Sequence, residues 1–270
     1  MKRSKSMMVI TFFVIAQFLT INVQNSFSQD PIPYHYLREA DIMWSKRVWR
    51  KIDLKEKFNH PLYYPIERTA DRISLVQLLI DGVREGALTA YDPADDEFTT
   101  ILDPMRRKRL LNRIDTIEVP DTEPPYDIIR KPVERPFDPS SVKEIRVKEE
   151  WYFDRQRSKM EVRTLGICLV YENMDYTTGT IRGSTPMFWI YFPEARPLLA
   201  SAKAYNPSDN RVRINYDDIF LKRFFQSYVY KEENVYNREI QDYTTGLGAL
   251  YEAEKVKENI FNFEHDLWNY

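Results

Sequence analysis

The side chains able to do chemistry in this chain are few and scattered. Three histidines are present, His35, His60 and His265, and no two stand four residues apart. That spacing would bring two imidazoles to one helix face as metal ligands. The nearest thing to a catalytic set is Glu264-His265-Asp266. A triad needs a base that touches a nucleophile and is itself oriented by a carboxylate. Consecutive residues on a helix point about 100° apart, so three neighbours there cannot converge on one substrate atom. The triplet therefore reads as structural, with His265 placed to hydrogen-bond across a packing interface. The lone Cys168 sits in the apolar run Leu165-Gly166-Ile167-Cys168-Leu169-Val170 and reads as a small buried residue. A catalytic thiol would want a basic, partly exposed setting. Asp95-Asp96-Glu97 carries enough charge for calcium but lacks EF-hand spacing. It reads instead as a cluster fronting a helix N-terminus, where the dipole favours negative charge. With seven glycines there is no P-loop, no Gly-x-Gly-x-x-Gly, no Gly-x-Ser-x-Gly and no Cys-x-x-Cys. The sequence assigns no catalytic, cofactor-binding or metal-binding residue, and the chain reads as a non-enzyme.

The chain opens with Lys2, Arg3 and Lys5, then an almost wholly apolar run over 7–19. Ser26 and Ser28 supply small residues at the −3 and −1 positions of a cleavage site before Gln29. Residues 1–28 are expected to be a secretory signal peptide. The apolar run is shorter than the ~20 residues that span a bilayer, and no later stretch in the mature chain is a transmembrane candidate. The whole chain holds 39 Lys and Arg against 41 Asp and Glu. Loss of the three leader cations leaves the mature protein mildly acidic, with nothing to recommend nucleic acid as a partner.

The elements that would carry these residues fall into three regions. Residues 29–115 read as mainly helical. Leu37, Ala40, Trp44 and Val48 lie three and four apart, which predicts a helix over 34–51. Val76, Leu79, Ile80 and Val83 predict a second, stopped by Gly86. Residues 116–141 read as a Pro-rich linker, with six prolines between 120 and 139. Proline fixes φ and removes a donor, so an extended, semi-rigid segment is expected. It serves as a disordered spacer or as a strap along a neighbouring subunit. Residues 142–270 read as α+β. Ile145, Val147, Trp151 and Phe153 alternate with charges and pair with a return strand over 160–171, a hairpin. A short apolar strand covers 187–192. Helices are marked by Ala195, Leu198, Leu199 and Ala202, and by Leu221, Phe224, Phe225 and Tyr228, the latter capped by Asn215 or Asp217. A C-terminal helix carries Leu250, Ala253, Val256, Ile260, Phe263 and Leu267 on one stripe. The fold class is thus α+β: a helical N-terminal region, an extended linker, then a small antiparallel sheet with flanking helices and a C-terminal helix.

Aromatic content is the positive signal. Eighteen Tyr, fifteen Phe and five Trp exceed what a small α+β core needs, and Tyr and Trp are residue types that anchor interfaces. The candidate partner interface comprises Trp44, Trp49, Pro124, Pro125, Pro132, Pro136, Trp268 and Tyr270. A binding or assembly component is the simplest reading. The alternative is a periplasmic enzyme or carbohydrate-binding module that uses aromatic platforms.

Several segments together resemble a known family. They are Leu88-Thr89-Ala90-Tyr91 with 95–100, 186–193 with Arg196-Pro197-Leu198-Leu199-Ala200, and 225–232 with Asn234-Val235-Tyr236. The closing 260–268, Ile-Phe-Asn-Phe-Glu-His-Asp-Leu-Trp, is the most specific. This set is similar to the gliding-motility family GldN, also called PorN. The resemblance implies a component of the type IX secretion system. It implies a periplasmic ring beneath the outer membrane, a GldK/PorK-like lipoprotein as partner and a GldM/PorM-like motor protein as a second contact. It implies no cofactor.

Overall fold

The computed structural model describes residues 30–70, 72–120, 128–175, 180–205 and 214–267. The predicted leader, Pro124, Pro125, Trp268 and Tyr270 lie outside these. The molecule is α+β, built on an antiparallel six-stranded sheet in the order β2-β7-β6-β5-β1-β8. The strands are β1 (Ile42–Asp53), β2 (Ala90–Tyr91), β5 (Val142–Asp154), β6 (Lys159–Asp175), β7 (Thr180–Tyr191) and β8 (Tyr228–Glu232). A separate two-stranded ribbon pairs β3 (Asn112–Pro120) with β4 (Ile128–Pro136). The helices are α1 (His60–Tyr63), α2 (Leu75–Glu85), α3 (Pro104–Leu111), α4 (Phe192–Ser201), α5 (Tyr216–Leu221) and α6 (Leu247–Leu267).

The first predicted helix is a strand. Residues 42–53 pair with β5 on one side and β8 on the other. Trp44, Val48 and Ile52 stand four apart, and a step of four is both a helical turn and an even number of strand positions. Of the predicted stripe Leu37, Ala40, Trp44 and Val48, only Trp44 and Val48 fall in this strand, and their step of four fits both periods. The buried Trp49, at 4% exposure next to Val48 at 0%, shows that both faces of the segment are covered. An N-terminal segment thus lies inside the sheet of the C-terminal half, between β5 and β8.

The Pro-rich stretch is the second correction. Its described part is paired backbone, with Asn112 opposite Pro136, Thr116 opposite Pro132 and Pro120 opposite Ile128. It is extended, as expected of proline, but 128–136 is one strand of a ribbon rather than a free linker. The third correction concerns Leu221, Phe224, Phe225 and Tyr228. Helix α5 ends at Leu221, Arg223 turns the chain at φ 56°, and Tyr228 opens β8. The Asn215 side chain does cap α5, accepting from the Asp218 N–H at 2.7 Å.

Other elements follow the sequence. Ser74 caps α2 by accepting from the Gln77 N–H, and Gly86 ends it in the left-handed conformation at φ 79°. The 142–175 hairpin forms with a bulge at Lys148/Glu149. One face of the sheet carries Ile52, Ile145, Val147, Ile167, Leu169 and Ile190 against α2, α4 and α5, and this is the main core. The pair Arg196–Asp217 ties α4 to α5 through two hydrogen bonds of 2.9 Å, both side chains nearly fully buried. Farther along the same sheet face, α6 covers Val48 and Val229 with Ala253, Val256 and Ile260.

Candidate interaction surface

Helix α6 is the element that combines a well-packed inner stripe with an open outer one. Ala253, Val256 and Ile260 are buried, and Phe263 stacks on Trp44 at 4.7 Å with rings 27° apart. Phe263 is therefore docked on its own sheet. Leu250, placed on the same stripe by spacing, is 58% exposed, and the neighbouring Ala249 turns inward in its place. Leu247, Leu250, Tyr251 and Phe261 form the outer side, each at least half exposed. Tyr236 and Val235 are exposed in the loop after β8. These are large apolar groups that the core leaves outside.

A hollow flanks the helix on each side. One, of about 410 Å³, lies between β8 and the start of α6, lined by Tyr228, Tyr230, Ile240, Thr244, Leu250 and Ala253. The second, of about 590 Å³, lies between α6 and the 222–227 turn, with Trp151, Phe225 and Phe261 among its walls. Its charges are mostly spent internally. Glu149 is fully buried, accepting from Arg223 at 2.7 Å and from the Trp151 indole N–H at 3.1 Å. Arg223 lies over Trp151 at 5.0 Å and Phe225 at 5.4 Å. Arg50 donates to the Ser227 hydroxyl and carbonyl. What remains for a partner is aromatic wall with an acidic rim of Glu254, Glu258 and Glu264 beside Lys257. Such a surface can dock a partner; it presents no nucleophile and base in contact.

The opposite sheet face explains the other motifs. Lys148, at 1% exposure, lies over Trp49 at 5.3 Å, and Lys231 lies over the same indole at 4.3 Å. Asp96 and Glu97 close over these cations. Glu97 reaches Lys148 at 2.8 Å and Arg47 at 3.1 Å, and Asp96 stands 3.6 Å from Lys148 and Lys231. Asp95 accepts from the Thr99 hydroxyl and from the amides of Glu97, Thr99 and Thr100. These bonds, the Thr99 hydroxyl foremost, hold its carboxyl well below the usual carboxylate range. The acidic cluster therefore fronts no helix. It shapes a loop and neutralises lysines of the sheet, and among the described residues no three His, Cys, Asp or Glu groups gather as metal ligands.

The remaining predicted residues are placed as follows. Trp44 is half-buried against Phe263, and Trp49 is covered by its own chain. Pro132 stands in β4, and Pro136 is exposed at the base of the ribbon. Of Glu264-His265-Asp266, Glu264 lines the hollow while His265 and Asp266 are exposed along the helix. His60 packs edge-on to Tyr64 at 5.3 Å, far in sequence from His265. Cys168 is fully buried, and burial pushes its thiol up to about 12. The exposed outer side of α6, with Leu247, Tyr251 and Phe261, escaped sequence reasoning. The stripe analysis followed the buried side, and the leftover apolar residues were the available signal.

The fold and surface together define an α+β protein whose exposed features suit docking. The sequence matches the family described as gliding motility associated protein GldN over residues 37–269. The chain belongs to that family. No curated protein matches it. No helix among the described residues is long and apolar enough to cross a membrane.

Proposed function

We propose that the chain is a non-enzymatic structural component of the type IX secretion and gliding machinery. Exported by its 1–28 leader, it works in the periplasm, held at the inner face of the outer membrane by a GldK/PorK-like lipoprotein. Copies assemble with that lipoprotein into a ring that meets a GldM/PorM-like motor component. Family membership supports the setting. The observation that carries the docking role is the open outer side of α6, where Leu247 is 66%, Tyr251 70% and Phe261 65% exposed. A ring needs a surface on each copy that meets a different surface on the next. We assign the outer side of α6 with its two flanking hollows to one half of that contact.

The test is co-purification with the lipoprotein from the cell envelope, followed by electron microscopy. Rings containing both proteins support the reading. A chain that purifies alone, with motility and secretion intact in its deletion strain, contradicts it. The double substitution Glu264→Ala/His265→Ala separates assembly from catalysis. Normal assembly with failed secretion would favour an enzyme.

A further inference from the structure

The β3–β4 ribbon has two outer edges, and proline interrupts only one of them at its centre. In an antiparallel pair, opposed residues alternate between hydrogen-bonded and non-hydrogen-bonded positions. The Phe137 N–H donates to the Leu111 carbonyl at 2.9 Å at the base of the ribbon. Counting from that pair, Arg113, Asp115, Ile117 and Val119 are the bonded positions of β3, and Asn112, Ile114, Thr116, Glu118 and Pro120 point their backbone groups outward. Chemistry agrees, because Pro120, Pro132 and Pro136 all fall at non-bonded positions, where the missing N–H costs the ladder nothing. The consequence for β4 is that Pro132 and Pro136 remove two of its five outward donors, one of them at the centre, so the run of Ile128, Arg130 and Glu134 is broken in the middle. Prolines on an edge block the addition of a further strand.

The outer edge of β3 is different. Pro120 has no N–H, and the Asn112 N–H is used on the Lys108 carbonyl of α3. Between these stops stand the N–H groups of Ile114, Thr116 and Glu118, evenly spaced and symmetric about Thr116. Besides β4 and α3, which runs directly into it, no described element makes more than marginal contact with β3. A two-stranded ribbon is marginal alone and gains stability from a third strand.

We propose that this edge pairs with the same edge of a second copy of the chain, antiparallel, with Thr116 on the two-fold axis. That register aligns the whole of β3 with itself. Every outward donor then meets a carbonyl: Ile114 with Glu118 of the copy, Thr116 with Thr116 and Glu118 with Ile114. In register it sets Arg113 opposite Val119, Asp115 opposite Ile117 and Thr116 opposite itself. A shift by two residues in one direction opposes Asp115 to Asp115, and in either direction it shortens the pairing. The product is a four-stranded sheet, β4-β3-β3-β4, with Pro132 and Pro136 interrupting both outer edges. The pairing is self-terminating, an isologous contact distinct from the head-to-tail contacts of a ring. It does not depend on the proposed function.

Thr116→Pro removes the central outward donor at a position that the β3–β4 ladder does not use. Light scattering on the purified full chain should read twice the chain mass for the native sequence and loss of the dimer for Thr116→Pro, with unchanged circular dichroism. Thr116→Cys supplies a readout that needs no proline. Directly opposed bonded positions have Cα atoms about 5.5 Å apart, within disulfide range, and the native Cys168 is fully buried. Mild oxidation should link Thr116→Cys into a covalent dimer more completely than Asp115→Cys or Ile117→Cys. A native chain that stays monomeric, a Thr116→Pro variant that dimerises as the native chain does, or preferential linkage at 115 or 117 would overturn the proposal.

Discussion

Arg196 and Asp217 show how individual charges hold this protein together. Both are nearly fully buried and they meet through two nitrogens and two oxygens, joining α4 to α5. Removing one member of such a pair leaves an uncompensated buried charge, at a cost of about 3–5 kcal/mol. Asp217→Asn is expected to lower stability by roughly the smaller of these, about 3 kcal/mol, in urea titration. A loss near zero would show that the pair is solvated. Asp95 acts differently, as the acceptor that closes its own turn. Its folded-state pKa lies below its unfolded value of about 3.9, so its stabilisation is fully present above about pH 4. That stabilisation is lost as the pH falls through the folded value. Glu97, lowered chiefly by its hydrogen bond from Lys148, acts in the same direction. Acid unfolding should therefore be flatter in Asp95→Asn than in the native chain. An identical acid limb for the two would show that the turn does not depend on the charge.

At the scale of elements, the legibility of the sequence depended on whether one pattern fits one structure. Helix α2 was readable because Ser74, a wide apolar stripe and Gly86 agree. Strand β1 was not, since Trp44, Val48 and Ile52 fit helix and strand alike and only pairing with β5 and β8 decides. The ribbon was hidden because prolines in a paired strand look like prolines in a linker until their register is known. The stripe of α6 was legible as far as Phe263, whose contact is Trp44. An aromatic pair of this kind couples by about 0.5–1.5 kcal/mol beyond its burial. The double-mutant cycle Trp44→Ala with Phe263→Ala should return an interaction energy of that order. Additive losses would place the helix end elsewhere. The ribbon is joined to the body at its base, where Leu111 and Phe137 are hydrogen-bonded. Replacing 112–136 by a two-residue turn should leave the melting temperature within a few degrees of the native value, since the main core is untouched. A large fall would mean that the ribbon supports the sheet.

For the molecule as a whole, fold class and the C-terminal helix were readable from periodicity, and family membership from local motifs between residues 88 and 268. The proposed docking surface was not, because it consists of what the core leaves unused. Leu247 and Tyr251 sit in a helix whose buried residues dominate the pattern, and only the packed structure shows which apolar groups stay outside. The sheet's second face also resisted reading, since lysines buried over tryptophan look like ordinary surface charge in sequence. The central claim is that this subunit works by docking through the outer side of α6. The most direct measurement is the yield of lipoprotein-containing rings, by electron microscopy, from cells carrying Leu247→Glu/Tyr251→Glu in place of the native chain. The account predicts a folded, exported protein of native melting temperature whose ring yield falls at least tenfold, for a loss of about 1.4 kcal/mol or more in docking. Rings at native yield from that variant would contradict it.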